Sequence, residues 1–287
     1  MAKRHHSMVE FRQVPIRIFP TEFAAAIHEQ IRLFSVTMVV DRGGKDAYTC
    51  AGTLCKISGN RGIITARHVW ERLSREREVL VLAGRAHVPL DPRLLCPVVP
   101  SAVERLPKSD AEIPDIAFLR IPDCDCVSLE AHGKVFYSLD RRLLDPQIAL
   151  YTEHGYWALY GAPQALLDPR YGAASSFMYG TSISNHFEFG TWDYFEINLD
   201  VDANPAVPSG FHGCSGGGVW QTFWLTNEAA TEFRVANRYK DIVLKGVNFW
   251  QTERYGGKVV AHGPRSIYQL LQEQVSATYV HNHADRD

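Results

Sequence analysis

No stretch of this 287-residue chain approaches the roughly eighteen consecutive apolar residues of a helical membrane span. A membrane partner is therefore not expected. The opening Met-Ala-Lys-Arg-His-His-Ser-Met-Val-Glu lacks the apolar core of a secretory signal. A surplus of either charge is missing too: 30 Lys and Arg face 32 Asp and Glu, for a net charge of −2. That balance gives no electrostatic footing to a nucleic-acid partner. Cysteines number six, but Cys124-Asp125-Cys126 is too short to hold zinc unaided, and no second Cys/His pair at ligand spacing follows. No metal and no cofactor are expected. His5-His6 and His281-Asn282-His283 read as disordered polar ends. What remains is an ordinary globular composition, 46% hydrophobic and 22% charged, long enough for one large all-β domain or two smaller ones.

Within it, residues 211–218 read Phe-His-Gly-Cys-Ser-Gly-Gly-Gly. Gly213 two residues before Ser215 lets the backbone N–H groups of both converge on one oxygen, an arrangement suited to an oxyanion. Gly216 and Gly217 let the chain take conformations closed to a residue with a Cβ. A serine alone is a poor nucleophile and needs a positioned base. Residues 62–69, Gly-Ile-Ile-Thr-Ala-Arg-His-Val, deliver His68 at the end of a β-branched run. Residues 115–121, Asp-Ile-Ala-Phe-Leu-Arg-Ile, set Asp115 at the mouth of another. Singly, each has a bland alternative: a half-buried histidine, a turn aspartate, a glycine-serine loop. Together and in order, they make coincidence a poor explanation. His87 and Asp91 are rivals outside any matching segment. Cys214 is a rival nucleophile one residue out of register.

These three segments resemble the chymotrypsin/trypsin-like serine protease superfamily, with its Thr-Ala-x-His, Asp-Ile-Ala-x-Leu and Gly-x-Ser-Gly-Gly hallmarks. The order His, Asp, Ser differs from that of subtilisins and α/β-hydrolases. The resemblance spans roughly residues 34 to 275 and is closest in flavour to bacterial HtrA-like protease domains without a PDZ module. It implies an all-β fold of two packed antiparallel β-barrels closed by a C-terminal helix, to which the residue pattern adds a helix near the N-terminus. It also implies Ser215 as nucleophile, His68 as general base and Asp115 as its orienting partner, with Gly213 and Ser215 N–H as oxyanion donors. The substrate would be a protein or peptide.

Departures from the family pattern shape further expectations. Secreted members link a cysteine before the His strand to one directly after the His. Here Cys50 can take the first place, but Val69 follows His68. The cysteines therefore read as free thiols in a reducing compartment, and the location as cytoplasmic. Cys214 stands where secreted relatives have an aspartate that pairs with a new N-terminus, and no Ile-Val-Gly-Gly site exists. Control then falls to loop ordering or a regulatory protein partner, or the enzyme is always competent. Ser209 replaces the acidic pocket floor of trypsin itself, which removes the electrostatic cause of a basic preference. Phe249, Trp250 and Gln251 match the strand that pairs with substrate and walls the pocket. Gln251 replaces a common glycine there, and a small or apolar residue before the scissile bond is expected. Arg67 beside His68 is either solvated or a competitor for Asp115. Two other readings stand beside the protease: a latent or non-catalytic protease-fold binding or scaffold protein, and an esterase-like hydrolase.

The organisation read from pattern is an extension at 1–33, a first barrel at 34–140 carrying His68 and Asp115, a second at 141–263 carrying Ser215, and a helix and tail at 264–287. Thr21 reads as N-cap of a helix over 22–32. Strands are expected at 34–40, 48–56, 62–66, 78–82, 115–121, 156–161, 193–199 and 241–250. Along 193–199, Phe195, Ile197 and Leu199 should face the core, with Tyr194, Glu196 and Asn198 opposite. Residues 70–76 suggest a short surface helix, 164–190 an elaborated loop, and Pro264 the start of a helix through Gln272.

Overall fold

In the computed structural model the described residues are 21–40, 47–84, 86–101, 104–105, 112–143, 156–168, 173–174, 177–181, 183–198, 208, 210–222, 224–226, 233–235, 242–251 and 257–284. Helix α1 (Thr21–Phe34) buries Ile27 and Ile31, one turn apart, while Glu29 and Arg32 pair outside at 2.7 Å. Its amphipathic spacing thus produces the expected helix, which begins at Thr21 itself, read above as the cap, and runs two residues further than read at its other end.

The chain continues without a break into β1 (Ser35–Val40), which pairs antiparallel with β2 (Tyr48–Ile57). β3 (Asn60–Thr65) returns along β2, and β4 (Val79–Ala83) with β5 (Ala86–Leu90) forms a hairpin against β1. β6 (Cys96–Val98) and β7 (Ala117–Arg120) extend the sheet beyond β3. The order is β5-β4-β1-β2-β3-β7-β6, and the short β8 (Tyr137–Ser138) joins β2 in parallel. Helix α2 (Arg67–Leu73) follows β3, and α3 (Asp123–Ala131) follows β7.

The second sheet uses β9 (Tyr156–Gly161), β10 (Phe177–Thr181), β11 (Ile183–Phe189), β12 (Trp192–Asn198), β13 (Gly218–Thr222), β14 (Val243–Gln251) and β15 (Lys258–His262). Its order is β10-β9-β13-β14-β15-β12-β11, antiparallel throughout. One core fills the first sheet, with Leu54, Ile63 and Leu119 at its heart, and another fills the second with Trp157, Phe195 and Val219. A third joins them, bringing Ile31, Tyr137, Trp220 and Leu271 together. The mostly-β architecture, with a helix near each end of the described chain, is the one expected, and is consistent with the chymotrypsin-like double barrel.

Three readings need correction. Residues 164–190 are not simply a loop, because β10 and β11 lie there; the glycines and serines masked a run of β-favouring Phe, Tyr, Thr and Ile. In β12 Phe195 and Ile197 face the second core as expected, but Tyr194 opposite them is fully buried as well. It stacks on Phe187 at 5.4 Å and meets Phe249 at 6.0 Å, because this strand is covered on both faces. Leu199 lies outside the described residues. The C-terminal helix passes through a π-helical turn (Ser266–Leu271) into α4 (Gln272–Ala284), well beyond Gln272, so the His281–His283 segment is helical.

That helix links the sheets. Tyr268 donates its hydroxyl to the Leu244 carbonyl of β14 at 2.8 Å, and Tyr279 to the Cys96 carbonyl of β6 at 2.9 Å. Its start is held by buried Asp193 of β12, whose carboxylate accepts the Ser266 N–H at 2.6 Å and the Arg265 N–H at 3.1 Å. A remote aspartate thus satisfies donors that the first helical turn leaves open. Asp193→Ala is expected to lower unfolding stability by about 2 kcal/mol, and Asp193→Asn by less. Urea denaturation of the three proteins checks this, and equal midpoints would refute it.

Candidate active site

His68 lies in the first turn of α2, not at the end of the strand. β3 stops at Thr65, and the backbone turns into the helix at Ala66. Asp115 precedes β7, the strand paired with β3, so the register of these neighbours brings the two residues together. Asp115 Oδ2 lies 2.6 Å from His68 Nδ1, and Oδ1 accepts the His68 backbone N–H at 2.9 Å. A carboxylate oxygen facing Nδ1 acts as acceptor, which in the neutral imidazole places the proton on Nδ1 and the lone pair on Nε2. The Asp115 side chain is 7% exposed, whereas the His68 side chain is 47% exposed. The carboxylate is shielded and the imidazole remains accessible.

Behind Asp115 stands a residue that pattern reading missed. Its backbone N–H donates to His262 Nε2 at 3.1 Å. His262 is fully buried among the rings of Phe249, Tyr194 and Trp192, and burial pulls its pKa down to about 4. It is therefore a neutral acceptor with its proton on Nδ1, which has no partner among the described residues. No spacing rule connects positions 115 and 262; only the fold does.

Ser215 is reached through the turn Phe211–Cys214, closed by Cys214 N–H to the Phe211 carbonyl at 3.0 Å. Gly213 has φ of 92° and His212 is not left-handed, which makes this a type II turn, a conformation that asks for glycine at its third position. The His212 carbonyl accepts the Gln164 N–H at 2.6 Å. In a trans peptide C=O and N–H point opposite ways, so the Gly213 N–H faces away from that contact. Neither the Gly213 nor the Ser215 N–H has an acceptor among the described residues. Gly216, at φ 89°, carries the chain tight against Ala51 and Thr65, where any Cβ would collide. The Ser215 carbonyl accepts from Ala51 N–H at 3.1 Å, which ties the loop to β2. The Ser215 hydroxyl donates to the Phe249 carbonyl at 3.4 Å and makes no hydrogen bond to His68.

His68 and Ser215 border two cavities. One, of about 370 Å³, also draws on Phe211, Asn248, Phe249, Trp250, Gln251 and Val259. The other, of about 700 Å³, draws on Tyr48, Thr49, Arg72, Gln164 and Gly213. Phe249, Trp250 and Gln251 thus stand together at the cleft, with Gln251 Oε1 accepting the Phe211 N–H at 3.0 Å. Ser209 lies outside the described residues. Arg67 does not compete for Asp115: its guanidinium pairs with Glu112 at 2.8 Å and Glu71 at 3.3 Å.

The rivals stand elsewhere. His87 is exposed on β5, and Asp91 pairs with Arg93 at 2.6 Å. Cys214 is buried, its thiol pushed far above the ordinary range by desolvation, and it lines neither cavity. All six cysteines are unpaired, four of them buried. Among the described residues no helix is long and apolar enough to cross a membrane.

No family model matches the chain, and neither does any curated protein. Solved structures do. The Rv3671c protease from M. tuberculosis, in its active form, is 15% identical over 88% of both chains, with a TM-score of 0.45. The serine endoprotease from Yersinia pestis is 16% identical over 90% of this chain and 68% of that one, at 0.48. The thermostable serine protease AL20 from an extremophilic microorganism is 11% identical over 86% of this chain and 98% of the other, also at 0.48.

Proposed function

We propose that this chain is a serine endopeptidase that cleaves peptide bonds through Ser215, His68 and Asp115 and a covalent acyl-enzyme. One observation carries the reading: a carboxylate-held imidazole and a serine hydroxyl share a cleft with two unpartnered backbone N–H groups. In the proposed cycle Ser215 Oγ attacks the scissile carbonyl while His68 Nε2 takes its proton. Asp115 holds the proton on Nδ1 and stabilises the imidazolium that forms. The carbonyl oxygen, now negative, is met by the Gly213 and Ser215 N–H groups. His68 then protonates the departing amine, and water repeats the sequence to free the acyl group. Phe211, Phe249 and Val259 line the smaller cavity together with the charged Arg67, Glu71 and Glu112, and its apolar part suits a small or apolar side chain beside the scissile bond. The unpaired thiols suit a reducing, cytoplasmic setting.

A second reading, a latent or purely binding protein, draws on the Ser215 hydroxyl being bonded to Phe249 and not to His68. Intact-mass measurement after fluorophosphonate treatment separates the two. A single adduct is expected on the native protein and none on Ser215→Ala. No adduct on the native protein would move the binding reading ahead. Ester turnover without any peptide cleavage would favour an esterase.

A further inference from the structure

The turn that presents the Gly213 N–H has an alternative. Rotating the His212–Gly213 peptide plane by half a turn would direct a carbonyl where the donor now stands. It would also require a negative φ at Gly213 in place of the observed 92°. What opposes that rotation is the hydrogen bond from Gln164 N–H to the His212 carbonyl, at 2.6 Å. The orientation of the turn therefore depends on where the Gln164 backbone is fixed.

Gln164 opens a short 3-10 turn (Gln164–Leu166) just after β9 of the second sheet. Its side chain reaches across to the first sheet. Nε2 donates to the Ala47 carbonyl at 2.9 Å, and Oε1 accepts the Thr49 N–H at 2.7 Å. Donor meets acceptor and acceptor meets donor, so the amide fits in one orientation only. Thr49 adds a second tie: its hydroxyl lies 2.8 Å from the Ala162 carbonyl, two residues before Gln164. Thr49 lies in β2, with Ala47 just before it, and β2 pairs with β3, the strand that leads to His68. Gln164 thus joins three things: the sheet that carries the imidazole, the loop after β9, and the turn beside Ser215.

We propose that Gln164 is a positioning residue that locks the Phe211–Cys214 turn with the Gly213 N–H facing the reacting oxygen, in register with His68. The proposal rests on the serine-hydrolase reading above. It concerns how that site is held and assigns no chemistry to Gln164 itself.

Two variants test it. Gln164→Ala removes the side-chain ties and keeps the backbone N–H. Gln164→Glu keeps the volume but turns an acceptor toward the Ala47 carbonyl. Loss of one oxyanion donor costs about 10²–10³ in rate, and a loosened donor less. Both variants should therefore label at Ser215 with a fluorophosphonate roughly 10- to 100-fold more slowly than the native protein. On a p-nitrophenyl ester the loss should fall on kcat with KM nearly constant. In Gln164→Ala, which adds no charge to the cavity that Gln164 shares with His68, the pH midpoint of labelling should stay put, since the His68–Asp115 pair is untouched. Labelling at the native rate in both variants would overturn the proposal. So would a rise in KM at constant kcat, or slower labelling that merely tracks a fall in melting temperature. If the native protein itself takes no label, the serine-hydrolase reading has failed instead, and the two failures are told apart.

Discussion

Asp115→Asn is expected to slow Ser215 acylation by about 10⁴-fold, an effect set by tautomer more than by charge. In the native site the carboxylate accepts two N–H groups, one from the His68 backbone and one from His68 Nδ1. An asparagine has one carbonyl for these two donors. If its oxygen keeps the backbone N–H, its NH₂ faces Nδ1, and the ring must carry its proton on Nε2. That nitrogen then has no lone pair to offer Ser215. If its oxygen turns to Nδ1, the NH₂ confronts the backbone N–H of a shielded site, an arrangement that costs about 1–3 kcal/mol. The first outcome is the cheaper one, and the fold survives while the base is lost. Ser215→Ala should cost at least as much, and the double variant no more than Ser215→Ala alone, because the groups act as a unit. Labelling rates for Asp115→Asn, and residual hydrolysis for all three variants, check this. Near-native labelling of Asp115→Asn would remove Asp115 from the mechanism, and additive losses would break the triad apart.

How much of this site can be read from the chain depends on the kind of contact involved. His68, Asp115 and Ser215 announce themselves because each sits in a short segment whose local pattern survives without the rest of the fold. The glycine at position 213 is legible for a similar reason, since a type II turn needs a left-handed residue. Gln164 and His262 carry no local mark. Gln164 matters through Ala47 and Thr49, and His262 through Asp115, 147 residues away. Period-two reasoning failed at Tyr194 for a related reason: alternation assumes one wet face, and β12 has none there. It failed at 164–190 because glycines and serines can occupy strand positions once neighbouring strands supply the partners. Arg67 was ambiguous in sequence because its direction depends on Glu112, a residue 45 positions away.

His262 supplies the second large effect, on stability against acid. Its folded pKa is about 4, against an ordinary value near 6.5. The unfolded chain therefore binds a proton in that window that the folded chain refuses. The sign follows directly: stability contributed by neutral His262 is complete above pH 6.5 and is lost as pH falls toward 4. The span corresponds to about 3 kcal/mol. Burial dominates this shift, and the carboxylates of Asp115 and Asp193 oppose it only in part. The position is suited to a permanent acceptor, since protonation would set an N–H against the Asp115 N–H that now donates to it. His262→Gln keeps an acceptor for Asp115 without a titrating ring. Chemical denaturation of both proteins between pH 7.5 and 4.5 should show the native protein losing more stability than the variant, by about 2–3 kcal/mol at the acid end. Parallel curves would mean that the imidazole is protonated within the fold, and that Asp115 is held from behind by something other than a neutral histidine.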